Sequence, residues 1–210
     1  MKVEGFKDTI DWYDNNSEQY AKGLYEVSPT ASIQAFLEHI PQDAYVLEAG
    51  CGPGRESKIF HEKGIKTVGI DMSEGLLEVA RKMNPETEFV KGNFLELPFP
   101  DATFGAVWAH ASLVHLETIE DAKKALEEFH RVLKSGGTLL VKVKAQTGED
   151  KTAVVTDTLS KHDRFFRYYT PENMEALLIE AGFEIISNTM LEDDHGRSEV
   201  KWIQVIVKKL

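Results

Sequence analysis

Three glycines at alternate positions, Gly50, Gly52 and Gly54, follow an acid, Glu48, in a short β-prone run that begins at Tyr45. A helix-compatible stretch, residues 56–63, follows at once. The order reads as a buried strand, a tight turn and a helix start. Glycine is needed where backbone takes positive φ or comes within contact distance of a ligand. The free N–H groups of the helix start point into such a turn, and their partial positive charge favours an anionic ligand group. Asp71 follows Gly50 by about twenty residues, the separation at which an acid grips the ribose hydroxyls of an adenosine cofactor. An ionised carboxylate accepts from two vicinal hydroxyls at once. The alternative for Asp71 is a capping or turn role.

The elements that must position these residues follow from periodicity. Residues 1–27 are polar with interspersed aromatics, including Trp12, Tyr13, Tyr20 and Tyr25, and suggest one or two helices outside the core. Ser28-Pro29-Thr30 starts a further helix that Pro41 ends. Strands are expected at Tyr45–Ala49, Lys66–Ile70, Thr87–Val90, Phe104–Ala109 and Thr138–Lys144. Helices alternate with them. One is capped by Ser73, and another opens on the capping box Thr118-Ile119-Glu120-Asp121 and closes at Ser135-Gly136-Gly137. The stretch from Gln146 to Arg167 reads as irregular or weakly helical. Thr170-Pro171 opens a last helix, and two β-rich runs joined by DDHGRS read as a hairpin. Strands alternating with helices imply a parallel sheet covered on both faces, with an antiparallel strand added by the hairpin. In such sheets ligands bind beyond the carboxyl ends of the strands. That places Glu48–Gly54, Asp71, Asn93 and Ala109–His110 together.

The totals are those of one ordinary globular domain: 210 residues, 42% of them apolar. No run of about twenty apolar residues could span a membrane, and MKVEGFKDTIDWY has no apolar signal-peptide core. A cytoplasmic protein is expected. The single cysteine, Cys51, excludes an internal disulfide and a multi-cysteine metal site, and no metal is expected. A net charge of −11 disfavours nucleic acid as a partner, since phosphate binding needs a basic face.

A dinucleotide fingerprint would need glycine at position 55, where the chain has Arg55. The ordered segments VLEAGCGPG, VGIDMSEGLLEVAR, GNFLELPFPDATFGAVWAH and LEEFHRVLKSGGTLLV instead resemble the class I S-adenosylmethionine-dependent methyltransferases, over about residues 40–145. The resemblance implies an α/β, Rossmann-like three-layer αβα sandwich. Its seven-stranded, mostly parallel sheet would end in a C-terminal antiparallel hairpin. One domain is expected over 1–210, with an N-terminal helical lid (1–40), a cofactor-binding core (41–145) and an acceptor-side segment (146–210). The implied cofactor is S-adenosylmethionine, with S-adenosylhomocysteine as product. By the same resemblance Gly50, Cys51, Gly52 and Gly54 form the turn along its methionine part. Glu48 orients the ammonium, Asp71 holds the ribose, and Met72, Asn93 and Phe94 meet the adenine. Ala109 and His110 pass beside the sulfonium. Many members carry Asp where this chain has Asn93; Asn keeps an acceptor and adds a donor.

Methyl transfer from a sulfonium is an in-line displacement, accelerated mainly by alignment. A base is needed when the acceptor carries a proton that must leave early. His110 and His115, just beyond the fourth strand, are the base candidates; the alternative is a packing role. Cys51 sits where a small buried residue is wanted, which argues against a nucleophile. Tyr13 and Tyr20, with Arg164 and Arg167, are candidates for the acceptor pocket. Their alternative is core aromatics and a solvated basic face. The leading expectation is a small-molecule methyl acceptor and a monomer or homodimer. LVHLET is loosely similar to an element of tRNA wobble-uridine enzymes, which keeps an RNA-modifying methyltransferase open beside a non-catalytic partner subunit and, more remotely, a dehydrogenase.

Overall fold

The computed structural model describes residues 6–156 and 163–210. Its main sheet has seven strands: β1 (Val46–Ala49), β2 (Thr67–Asp71), β3 (Glu88–Lys91), β4 (Phe104–His110), β5 (Leu133–Lys144), β8 (Phe183–Glu192) and β9 (Lys201–Lys209). A separate two-stranded ribbon pairs β6 (Thr152–Thr156) with β7 (Asp163–Arg167). The strand order in the main sheet is β3-β2-β1-β4-β5-β9-β8. The first five strands run parallel, and β9 is antiparallel to both β5 and β8. Strand order reverses between β1 and β4, so the carboxyl ends of those two strands flank the crevice.

Helices cover both faces. The face built on Leu47, Ala49, Val107, Val141 and Val143 packs against α5 (Ile119–Val132) and α6 (Pro171–Glu180). The face carrying Val46, Ala106, Trp108 and Leu140 packs against α2 (Thr30–Leu37) and α3 (Arg55–Glu62). Strand alternation therefore turns Glu48, His110 and Lys142 toward α2 and α3, because each lies an even number of residues from a member of that face.

Local chemistry explains the helix boundaries that matter. Ser73 accepts the Leu76 N–H at 3.2 Å and starts α4 (Glu74–Met83). Thr118 accepts the Asp121 N–H at 3.0 Å and starts α5. Helix α1 (Phe6–Tyr25) is broken at Asn16, whose side-chain amide donates to the Trp12 carbonyl at 2.9 Å. Asp14 fastens α1 to α4, accepting from the Ser73 hydroxyl at 2.6 Å and the Gly75 N–H at 2.9 Å.

Two expectations are corrected. Within the stretch 146–167, read as irregular or weakly helical, residues 152–156 and 163–167 instead form the β6–β7 ribbon, and DRFFR alternates so that Arg164 and Phe166 are buried; residues 157–162 lie outside the described residues. Ser135-Gly136-Gly137 does not close α5. The helix ends at Val132 and the segment is drawn into β5, with a register shift where Phe104 and Ala106 pair across it. The first five residues of the expected lid lie outside the described residues.

Candidate active site

The glycine turn is built by backbone. Gly50 and Cys51 donate their N–H groups to the Ile70 carbonyl at 2.8 and 3.0 Å, which pins the end of β1 to the end of β2. Gly50, Gly52 and Gly54 take φ of +76°, +52° and +78°. A Cβ on Gly50 would stand 2.4 Å from Cβ of Ser112. The turn thus lies directly against the loop that leaves β4. Gly54 turns the other way: a Cβ there would meet Asn84 at 2.8 Å and Phe89 at 3.0 Å, so its role is helix packing and it does not line the cleft.

Asp71 closes the turn. Its Oδ2 accepts the Gly52 N–H at 2.8 Å and its Oδ1 the Ser73 N–H at 2.9 Å. Burial raises its pKa, opposed by these N–H groups. Glu48 lies behind the turn, buried, and accepts the Ser57 hydroxyl on α3; burial raises its pKa well above the carboxylate range. Burial likewise pushes the Cys51 thiol well up, which keeps it protonated.

The turn borders a cleft of about 160 Å³. Gly50, Cys51, Gly52, Asp71, Met72, Leu76 and Phe94 line it. So do residues of α1 (Tyr13, Tyr20), the start of α3 (Arg55, Glu56), the β4 exit (His110, Ser112, His115), the β6–β7 ribbon (Arg164, Phe166) and the β8–β9 connection. Of the sequence-predicted residues, Glu48, Gly54, Asn93, Ala109 and Arg167 stand outside the lining. The Asn93 side chain accepts the Leu95 N–H at 2.9 Å within its own turn, and Ala109 is buried in the sheet. Arg167 stays outside that lining: it donates to the Leu116 carbonyl at 3.0 Å and to that of Glu117, bracing the 3-10 turn Leu113–His115.

The two histidines differ. The Nδ1 of His115 lies 2.9 Å from the Phe165 carbonyl, which can only accept, so Nδ1 carries the proton. Its Nε2 then faces the Tyr13 hydroxyl at 3.5 Å. Both nitrogens serve packing between η1 (Leu113–His115), the ribbon and α1. The ring of His110 stacks on Trp108, with centroids 5.3 Å apart at 2°, and its Nδ1 lies 3.6 Å from Glu56 Oε1. His110 Nε2 and Ser112 Oγ are buried without a hydrogen-bond partner among the described residues. Burial, with Lys142 and Arg55, holds the His110 pKa well below its ordinary value.

The β8–β9 connection supplies residues that sequence reasoning missed: Asp193, Asp194, His195 and Arg197. Asp193 accepts from Arg197 at 2.7 Å and from the Trp202 indole at 2.8 Å. Burial pushes its carboxyl up, but these donors outweigh it and hold the pKa well below the usual range. Asp194 accepts from the buried Lys142 ammonium at 2.6 Å. The signal in the sequence was a hairpin turn, DDHGRS, unusually rich in charge.

The residues present suit a nucleoside cofactor with an amino-acid tail. The glycine backbone leaves room that a side chain would fill, an acid closes the end of β2, and His110 Nε2 and Ser112 Oγ on residues of the same cleft lack hydrogen-bond partners among the described residues. Comparison with known proteins agrees. A methyltransferase-domain family model matches residues 47–141. A protein of Encephalitozoon cuniculi whose name assigns it to the methyltransferases is 30% identical, covering 94% of this chain and 93% of its own. The chain belongs to the class I S-adenosylmethionine-dependent methyltransferases. Within this family, the O-methyltransferase resE of Aspergillus sclerotiorum is 27% identical over 91% of this chain and 74% of its own. The methyltransferase fold extends to the Burkholderia thailandensis 1,6-didemethyltoxoflavin-N1-methyltransferase, solved with bound 1,6-didemethyltoxoflavin and S-adenosylhomocysteine. Its TM-score is 0.75 at 19% identity, covering 97% of this chain and 86% of that one. The enzyme's cofactor is accordingly S-adenosylmethionine.

Proposed function

We propose that this enzyme methylates a small-molecule acceptor held between the glycine turn and the β8–β9 connection. The observation that carries the reading is a pair of buried atoms without a hydrogen-bond partner among the described residues, His110 Nε2 and Ser112 Oγ, on residues of a cleft bounded by Gly50, Gly52 and Asp71. A buried polar atom left unpaired costs about 1–3 kcal/mol, which a bound molecule would recover. Bound S-adenosylmethionine supplies an activated methyl group. Gly50, Cys51 and Gly52 would run along its amino-acid part, Asp71 would take the ribose hydroxyls, and Met72, Leu76 and Phe94 would pack on the base. Glu48 would act from behind, holding the start of α3 through Ser57.

On the acceptor side, His110 is the base. Tyr13, Tyr20 and Phe166 supply aromatic walls, and Arg164 meets a polar or anionic group. Residues 1–40 serve as the lid of a single domain. The name of the A. sclerotiorum relative supports oxygen as the methylated atom. The net charge of −11 supports a small molecule over RNA. No described helix is long and apolar enough to cross a membrane, and we place the enzyme in the cytoplasm as a monomer or homodimer.

The test is incubation of the purified protein with S-adenosylmethionine and a chemically diverse acceptor panel, read by release of S-adenosylhomocysteine. Acceptor-dependent release that is lost in Gly50→Ala supports the reading. Failure of wild type to bind either form of the cofactor overturns it.

A further inference from the structure

We infer that Glu56 is a positioning residue that fixes His110 in the Nδ1–H tautomer, so that Nε2 offers its lone pair to an acceptor hydroxyl. The inference rests on the methyl-transfer reading above. Glu56 is the second residue of α3, buried, and its Oε1 is shared between two groups. The Arg55 guanidinium lies 2.5 Å away and His110 Nδ1 lies 3.6 Å away. A carboxylate facing Nδ1 repels a bare lone pair and favours a proton there. Neutral imidazole carries one proton, so Nε2 is then the acceptor. Nε2 is the ring nitrogen that the described residues leave without a partner.

Two indoles flank the ring. It stacks on Trp108 at 5.3 Å and on Trp202 at 6.4 Å, and its N–H and nitrogen lone pair lie in the ring plane. Arg55 and Glu56 face it from α3, Lys142 from the paired position on β5, and His195 from the β8–β9 connection. The cations among these disfavour a resting imidazolium, and Lys142 is itself matched by Asp194 at 2.6 Å. Glu56 is the carboxylate within ion-pair distance of the ring. Its charge biases the tautomer of the neutral ring and stabilises most once the ring takes a proton, which is when the barrier is crossed.

The proton balance follows. The acceptor O–H proton passes to His110 Nε2. The acceptor oxygen forms its bond to the methyl carbon as the carbon–sulfur bond breaks, with the pair remaining on sulfur. The positive charge lost from sulfur ends on the imidazolium, beside Glu56, until water removes the proton. Hydroxyls need this help most, because a phenolic pKa lies near 10 whereas a thiol ionises near 8.5.

The test is nitrogen NMR of the full chain carrying 15N-histidine and 15N-glycine, with saturating S-adenosylhomocysteine, and His110→Gln used to assign the resonance. The wild-type ring is expected as the Nδ1–H tautomer, and this measurement needs no folded variant of Glu56. Glu56→Gln keeps an acceptor beside Nδ1 but removes the charge, so the His110 midpoint should fall by about one pH unit. Glu56→Asp should restore most of it. An Nε2–H tautomer in wild type, or a midpoint unmoved in Glu56→Gln, overturns the inference. The amide signals of Gly50 and Gly52 report cofactor binding in the same sample. Unperturbed amides sink the methyl-transfer reading, whereas perturbed amides with the wrong tautomer sink only the role of Glu56.

Discussion

The Tyr13 hydroxyl accepts a hydrogen bond from the Arg164 guanidinium, joining helix α1 to strand β7 at the cleft. The same hydroxyl faces His115 Nε2 at 3.5 Å. Burial raises the Tyr13 pKa well above its ordinary value, so the phenol is neutral when it makes these contacts. Removing it should release α1 from two partners at once. Tyr13→Phe is expected to lower unfolding free energy by about 1–3 kcal/mol and to speed amide exchange in α1 more than in β4. Equal exchange in both elements would show that the clasp is not what holds α1.

The two arginines of the ribbon should separate cleanly. Arg164 is buried at the cleft beside Tyr13, Tyr20 and Phe166. Arg167 donates to the Leu116 and Glu117 carbonyls instead. Arg167→Ala should cost about 1.5–3 kcal/mol in urea unfolding while acceptor KM stays within about twofold. Arg164→Ala should raise acceptor KM about tenfold, in line with a lost charge-assisted contact. The reverse pattern would put the acceptor on the other side of the ribbon.

Gly50 and Gly23 make a matched pair. At Gly50 a methyl group meets Ser112 at 2.4 Å on a backbone of φ +76°, whereas at Gly23 nothing lies within 4 Å. Gly50→Ala should destabilise by about 1–3 kcal/mol and abolish cofactor binding. Gly23→Ala, within helix α1, should stabilise by about 0.5–1 kcal/mol. Thermal melts and cofactor titration of both variants decide the matter.

His110 links stability to pH. Burial, Lys142, Arg55 and His195 hold its folded pKa well below 6.5, with Glu56 the carboxylate alongside. Between the lowered folded value and 6.5 the unfolded chain binds the extra proton. Stability therefore falls as pH drops below about 6.5. In urea unfolding between pH 7.5 and 5.5, His110→Phe should lose less stability than wild type. An identical loss in both would mean that His110 charges freely in the folded state.

Much of this site was legible because its chemistry is local. Gly50 and Gly52 follow the end of β1 and Asp71 ends β2, and parallel-sheet topology brings strand ends together whatever the intervening sequence. Ser73 and Thr118 were readable as caps for the same reason. The acceptor side is assembled from long returns. Lys142 and Lys144 alternate along β5 with nothing local to mark either for burial, and the ammonium of Lys142 is matched only when Asp194 arrives from the β8–β9 connection. Arg164 and Arg167 looked alike in sequence, and only the alternation of β7 sends one into the cleft and the other to η1. That ribbon was missed because two short strands separated by polar residues resemble a loop until they pair. Glu56 was hidden as an ordinary acidic first-turn residue, a position where helix dipoles alone would place it.

The most direct test of the account is calorimetric titration of S-adenosylhomocysteine into wild type, Asp71→Ala and Asp71→Asn. The cradle formed by Gly52 and Asp71 predicts micromolar binding to wild type. It also predicts a loss of at least about 30-fold in Asp71→Ala, roughly 2 kcal/mol, in protein that still unfolds cooperatively. Wild-type protein that binds no S-adenosylhomocysteine, or variants that bind as tightly as wild type, would contradict it.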